Sequence, residues 1–88
     1  MTYIDYMNQF WQMNRSVEFS SDEAALYFYL LHECNMQGWS ISFTCPLRKI
    51  LLAINLPMKK VTDARKKLKQ VGLIDFEEKD GSTFYHFI

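Results

Sequence analysis

The sequence has no apolar run of eighteen residues, and its N-terminus lacks the basic start, apolar middle and small-residue cleavage pattern of a signal peptide. These absences predict a cytosolic protein with no membrane partner. Only two cysteines are present, Cys34 and Cys45, and a reducing cytosol favours two small buried thiols over a disulfide. Because two cysteines and two distant histidines do not supply four spaced ligands, no metal site is predicted.

Motifs for catalysis are absent as well. The chain contains no Gly-rich phosphate loop and no nucleophile beside a base in a recognisable context. The sequence therefore predicts neither an enzyme, nor catalytic residues, nor a bound cofactor. Repeats, low-complexity tracts and linker-like stretches are also missing, so residues 1–88 are expected to form one domain. The last residues read as a strand with no tail, which leaves open whether the chain is a fragment of a longer protein.

What the sequence does contain is a strongly uneven distribution of charge. The formal net charge is zero, yet residues 46–72 hold eight Lys and Arg against the single acidic residue Asp63, a net charge of +7. Residues 1–45 carry −4 and residues 73–88 carry −3. The positive charge is thus concentrated in one short segment, which is relevant to the choice of partner.

The first half of the chain is predicted to be helical. Apolar residues return every three to four positions over residues 2–14, which indicates a helix with an aromatic face inside an N-terminal extension, residues 1–19. That face either packs on its own domain or forms part of a dimer or partner surface, and its members are Tyr3, Tyr6, Phe10 and Trp11. Ser20 and Glu23 form a capping box for a second helix, which ends at Gln37-Gly38. This helix is apolar around nearly its whole circumference, so we expect it to be the buried spine.

The middle of the chain changes period twice. Apolar and polar residues alternate over residues 39–45, which predicts a short strand. Pro46 then begins a helix, with Thr44 or Cys45 as its cap. Asn55 ends that helix, because asparagine tolerates the left-handed conformation of a tight turn.

The most basic segment, residues 57–71, is predicted to be a helix with one narrow apolar stripe. The stripe consists of Val61, Ala64, Leu68 and Val71. From Leu73 onward the period becomes two, and Asp80-Gly81 separates two β-prone runs, which predicts a hairpin over residues 73–88. The expected fold is therefore α+β, mainly α, with a helical core, a short strand and a C-terminal hairpin.

Two helices joined by a short turn over residues 46–71 and followed by a hairpin resemble the winged helix-turn-helix DNA-binding domains of bacteria and phages. More narrowly, Tyr3-Ile4-Asp5-Tyr6 with Phe10-Trp11, and Leu26-Tyr27-Phe28-Tyr29-Leu30-Leu31, are similar to the N-terminal domains of DnaD-like replication-initiation and replisome-organiser proteins. The resemblance implies double-stranded DNA binding in replication initiation or transcription regulation.

The resemblance also implies that the second helix of the motif enters the major groove while the hairpin, or wing, lies along the backbone or minor groove. Opposite the core stripe, this helix carries the outward set Lys59, Thr62, Asp63, Lys66 and Gln70. Candidates for base edges are Lys59, Thr62, Asp63 and Lys66, with Met58 as an apolar contact. The flanking residues that suit phosphates are Lys60, Arg65, Lys67 and Lys69, together with Arg48 and Lys49 of the preceding helix.

The predicted wing departs from the family pattern in its charge. It carries four acidic residues, Asp75, Glu77, Glu78 and Asp80, which would repel a phosphate backbone. Either the wing points away from DNA, or Lys79 and the hydroxyls of Ser82 and Thr83 make its only contacts, or the fold serves protein binding. The alternative function is thus a protein-interaction or dimerisation module that does not bind DNA.

Overall fold

The computed structural model describes residues 2–88 and, within them, contains four helices and three strands. The elements are α1 (Tyr3–Val17), α2 (Ser21–Met36), β1 (Phe43–Thr44), α3 (Leu47–Ile54), α4 (Met58–Gln70), β2 (Ile74–Lys79) and β3 (Ser82–Phe87). The strands form one antiparallel sheet in the order β1-β3-β2. This is an α+β fold with most residues in helices, as predicted. No helix in the described part of the chain is long and apolar enough to cross a membrane.

Both long helices begin with a capping box, in which two residues three positions apart each accept, through the side chain, a hydrogen bond from the other's backbone N–H. Ser20 Oγ accepts from the Glu23 N–H and the Glu23 carboxylate accepts from the Ser20 N–H, as predicted. Thr2 and Asp5 make the same exchange at the start of α1. α1 extends three residues beyond the predicted end at residue 14. It ends at Val17, where the following residue, Glu18, adopts a left-handed φ of 57°.

The core is built around α2, which packs against both α3 and α4. Its fully buried residues are Leu26, Tyr27, Leu30 and Leu31, which confirms that this helix is the spine. From α4, Val61, Ala64 and Leu68 are buried as predicted, while Val71 is only half-buried. The sheet closes the core with Phe43, Ile74 and Tyr85. Burial of these large side chains is the dominant favourable contribution to folding.

Aromatic rings attach α1 to this core. Phe10 is fully buried and stacks on Tyr27 with 5.0 Å between ring centroids, and on Phe19 at 4.6 Å. The prediction that Phe10 belongs to a partner surface is therefore wrong, because its ring is enclosed by the protein's own rings. Tyr6 is half-buried against Phe87, and its backbone carbonyl accepts a hydrogen bond from the Tyr27 hydroxyl.

The strand predicted over residues 39–45 is much shorter than expected. Only Phe43–Thr44 pair with β3. Gly38 and Trp39 have φ values of 79° and 59°, and this left-handed backbone is incompatible with an extended strand. Ile41 is 93% exposed, so the alternation of apolar residues at this point describes a loop and not a buried strand face.

Prolines occupy the N-cap positions of α3 and α4, and neither helix has a side-chain cap. The prediction that Thr44 or Cys45 caps α3 is wrong. Pro46 itself is the N-cap, because its carbonyl accepts the first helical hydrogen bonds. Asn55 closes α3 with a φ of 54°, as predicted, and three residues separate α3 from α4, the last of them Pro57.

The hairpin predicted around Asp80-Gly81 is confirmed. These two residues have φ values of 52° and 79°, and they connect Lys79 to its cross-strand partner Ser82. Two successive positive φ values are typical of the type I′ turn, whose twist matches that of the flanking strands.

Side chains protect the open edge of β2, which has no neighbouring strand among residues 2–88. The Phe76 carbonyl accepts a hydrogen bond from Lys69 Nζ at 3.5 Å, and the Phe76 N–H donates to Asp75 Oδ1 at 2.8 Å. Because an unpaired edge is a template for aggregation, this arrangement discourages strand addition at the centre of β2.

The two cysteines are free and buried, as predicted. Burial raises the pKa of the Cys34 thiol. Burial, assisted by the Glu33 carboxylate, raises the pKa of Cys45 to about 11. Both side chains are therefore small neutral core groups at physiological pH.

Replacing Ser20 with alanine should lower the free energy of unfolding by about 1 kcal/mol, because the Glu23 N–H loses its capping acceptor. Urea denaturation followed by circular dichroism measures this loss. Ser21→Ala is the matched control, since Ser21 lies one residue later and its hydroxyl makes no hydrogen bond among residues 2–88. Equal losses in the two variants would contradict the capping role.

Candidate functional site

The outward side of α4 is the most cationic surface of the chain. We call it the basic face and define it by its exposed residues Lys59, Lys60, Asp63, Lys66 and Gln70. Exposed Met58 lies at its N-terminal end, while Thr62 and Lys67 are half-buried at its margins. The helix presents this side because its apolar stripe is fixed against α2.

Within the basic face, Lys59 and Asp63 form an ion pair one helical turn apart, with 3.2 Å between Nζ and Oδ2. Both side chains are largely exposed, so the pair stabilises the helix only weakly and either group is available to a ligand. The Thr62 hydroxyl donates to the Lys59 carbonyl at 3.0 Å.

Arg65 is directed into the domain and not toward the basic face. Only 8% of it is exposed, and its guanidinium donates to the Tyr85 hydroxyl at 3.2 Å and to Glu78 at 3.3 Å. The guanidinium carbon also lies 4.4 Å from the centre of the Phe76 ring. The expectation that Arg65 flanks the outward set is therefore wrong. Arg65 lies four positions after the buried Val61, a spacing that places two residues on the same side of a helix.

Lys69 is likewise turned toward the hairpin. Its Nζ lies 3.1 Å from Asp75 Oδ1 and 4.8 Å from the Phe76 ring centre. The hydrogen bond from Lys69, with that from the Phe76 N–H, lowers the pKa of Asp75. Two of the four acidic side chains of the hairpin, Asp75 and Glu78, thus neutralise cations of α4. The other two, Glu77 and Asp80, are exposed.

The remaining cations have no acidic partner among residues 2–88. They are Lys60, Lys66 and Lys67 on α4, Arg48 on α3, Arg15 on α1, and Lys79 near the hairpin turn, where Ser82 is exposed opposite it. The positive potential available to a ligand is therefore concentrated on α4 and its neighbour α3.

Lys49, a predicted phosphate contact, is held by a buried carboxylate. Its Nζ lies 3.0 Å from Glu33, which is only 5% exposed and also accepts a hydrogen bond from the Tyr29 hydroxyl at 2.8 Å. Burial pushes the pKa of Glu33 upward, but the hydrogen bonds from Lys49 and Tyr29 outweigh it and leave that pKa below its usual value. Sequence reasoning missed this site, although a glutamate inside an otherwise apolar helix was a usable signal.

No family model, curated protein or solved structure matches this chain. Among residues 2–88 no three His, Cys, Asp or Glu side chains are placed to hold a metal ion together. A groove of about 460 Å³ runs between the starts of α2 and α4. Its walls have opposite charge, with Asp22 and Glu23 facing Lys59 and Lys60, so the acidic start of α2 borders the basic face on this side.

Replacing Glu33 with glutamine should lower the free energy of unfolding at pH 7 by about 1–2 kcal/mol, because the ion pair to Lys49 is lost. Since the folded-state pKa of Glu33 is depressed, its contribution is complete above the unfolded pKa of about 4.3 and is lost as pH falls through the lower folded value. The stability difference between wild type and Glu33→Gln should therefore shrink on acidification.

Urea unfolding of both proteins at pH values between 7 and 3 measures that difference. Glu77→Gln is the control, since Glu77 is exposed on β2 and has no ionic partner among residues 2–88. A difference for Glu33→Gln that stays constant with pH would contradict the ion pair.

Proposed function

We propose that this chain is a winged helix-turn-helix domain that binds double-stranded DNA through the basic face of α4, in the cytoplasm and in the service of replication initiation or transcription control of a bacterium, phage or mobile element. The observation that carries the proposal is the division of charge on α4. The cations beside the hairpin, Arg65 and Lys69, are paired with its carboxylates, whereas Lys60, Lys66 and Lys67 have no acidic partner among residues 2–88. The function is binding, with no catalytic step and no cofactor.

The dimensions of α4 support insertion into a groove. A helix of thirteen residues is roughly 20 Å long, and the major groove of B-DNA is wide enough to admit one. α3 precedes it after three residues, and the hairpin follows it after three more, so both neighbours flank α4 as supports. This order of elements is the one expected for the winged helix-turn-helix.

The first turns of α4 carry the groups best suited to base edges. Lys59 and Lys66 can donate to guanine, and Asp63 can accept from the cytosine amino group when its pairing with Lys59 is exchanged. Met58 and the methyl group of Thr62 suit contact with the thymine methyl.

Phosphate binding falls to the margins of the basic face. Lys60 and Lys67 on α4 and Arg48 on α3 supply the unpaired charge, and Lys69 and Lys49 contribute less because each already has an acidic partner. The first N–H groups of α4 have no side-chain cap at Pro57, which allows them to donate to a phosphate oxygen.

The hairpin has a minor part in this proposal. Glu77 and Asp80 disfavour a phosphate backbone alongside it, so DNA contact is confined to Lys79 and Ser82 beside the turn. Its main contribution is internal, since Glu78 and Asp75 hold the hairpin against α4.

Binding to a fluorescent mixed-sequence duplex, measured by anisotropy over a salt series from about 50 mM upward, tests the proposal. Affinity should fall steeply and linearly on a log–log plot. The double substitution Lys60→Ala with Lys67→Ala should weaken binding and reduce the slope by about two, because each removed phosphate contact releases about one counterion fewer. Lys79→Ala should change the slope by less than either helix substitution.

Arg65→Met is the matched control, because it also removes one positive charge from α4 but at a buried position. In the folded variant the salt slope should equal that of wild type. Absence of binding at the lowest salt would exclude the proposal and favour a protein-interaction module. An unchanged slope in the double variant would remove the basic face as the binding surface.

A further inference from the structure

The outward side of α1 carries a line of residues that remain exposed in the folded domain. Ile4, Asn8, Trp11 and Arg15 are all exposed, with Ile4 66% and Trp11 52% accessible despite their apolar side chains. Their spacing of four, three and four residues places them in one line along the helix, the spacing of the contact seam in a two-stranded coiled coil. We call these four residues the α1 seam.

The α1 seam is distinct from the side of α1 that packs on the core. Phe10 and Tyr6 face inward, where they contact Tyr27 and Phe87, and the half-buried Met7 and Met13 pack against the core on the same side. The Trp11 ring contacts those of Phe10 and Phe28, with centroid distances of 5.1 Å and 6.0 Å, yet half of its surface remains open. α1 is therefore apolar on two sides, and only one of them is covered by the domain.

The α1 seam is complementary to itself when a second helix runs antiparallel to the first. In that alignment Ile4 lies opposite Arg15 of the other copy, and Asn8 lies opposite Trp11, so every seam residue meets another seam residue. The only charged residues of α1 are Asp5 in its first turn and Arg15 in its last. The same alignment brings each Asp5 next to Arg15 of the other copy. The two helix dipoles then run antiparallel, which is the favourable arrangement.

We propose that α1 is an antiparallel dimerisation helix whose occupant is the α1 of a second copy of this chain. The aliphatic part of Arg15 covers Ile4 of the other copy while its guanidinium pairs with Asp5, and the Trp11 rings cover the centre. A polyanion is a poor occupant because Asp5 offsets Arg15. A helix of fifteen residues gives a small interface, so the dimer is weak, with a dissociation constant on the order of micromolar or above.

Sedimentation velocity of the full chain at rising concentration measures this association. Ile4→Lys should raise the dissociation constant at least about tenfold, because it places a cation opposite Arg15 of the other copy. Ile41→Lys is the matched control, since Ile41 is an exposed isoleucine outside α1 and its substitution should leave the dissociation constant unchanged.

A charge exchange tests the antiparallel alignment itself. Asp5→Arg alone and Arg15→Asp alone should each abolish self-association, because like charges then meet at both ends of the α1 seam. An equimolar mixture of the two variants should form a heterodimer, because both ends are again complementary. Circular dichroism verifies that Asp5→Arg, which also removes a capping contact to Thr2, remains folded.

Three results would overturn the inference. They are a wild-type monomer at all concentrations up to about 1 mM, an equal loss of association in Ile4→Lys and Ile41→Lys, and a mixture of the charge variants that stays monomeric. The outcome is independent of DNA binding, because the α1 seam contains no residue of the basic face.

Discussion

The buried guanidinium of Arg65 joins the last helix to the hairpin. A cation removed from water is costly unless it is paired and hydrogen-bonded. Here Glu78, the Tyr85 hydroxyl and the face of Phe76 supply most of the compensation, while the buried Arg65 Nε has no hydrogen-bond partner among residues 2–88. Arg65, which sequence periodicity assigns to the edge of the basic surface, therefore helps to fix the position of the hairpin relative to α4. Lys69 and Asp75 repeat the connection one turn later, nearer to solvent.

These ion pairs account for part of the hairpin's acidic character. Four carboxylates beside a basic helix first suggest repulsion of any polyanion, but two of them, Asp75 and Glu78, pair with cations of α4. The consequence is a helix with two electrostatic sides. The cations beside the hairpin are paired with its carboxylates, and the outer cations give α4 a positive field on its other side. The proposed DNA-binding function uses the outer side and requires the hairpin only as a support.

α1 is divided in the same way, but by its apolar side chains. Its inner aromatic residues hold it to the domain, while Ile4 and Trp11 on the outer side remain in water. Exposed large apolar residues in a line are informative in a way that single ones are not. Because this line lies on α1 and the basic face lies on α4, the proposed self-association and the proposed DNA binding use different helices.

Local rules were enough to predict the helices, the capping box of Ser20 and Glu23, the turn at Asn55 and the hairpin at Asp80-Gly81, because each depends on residues at most four positions apart. They were not enough for the other features. The pairing of Arg65 with Glu78 spans thirteen residues and that of Lys49 with Glu33 spans sixteen, so neither exists until the helices and the sheet have packed. The enclosure of Phe10 has the same origin, since periodicity marks a residue as apolar but only packing decides which neighbour covers it. Composition and spacing thus identified the cationic helix, and tertiary contacts decided which of its cations remain available to a partner.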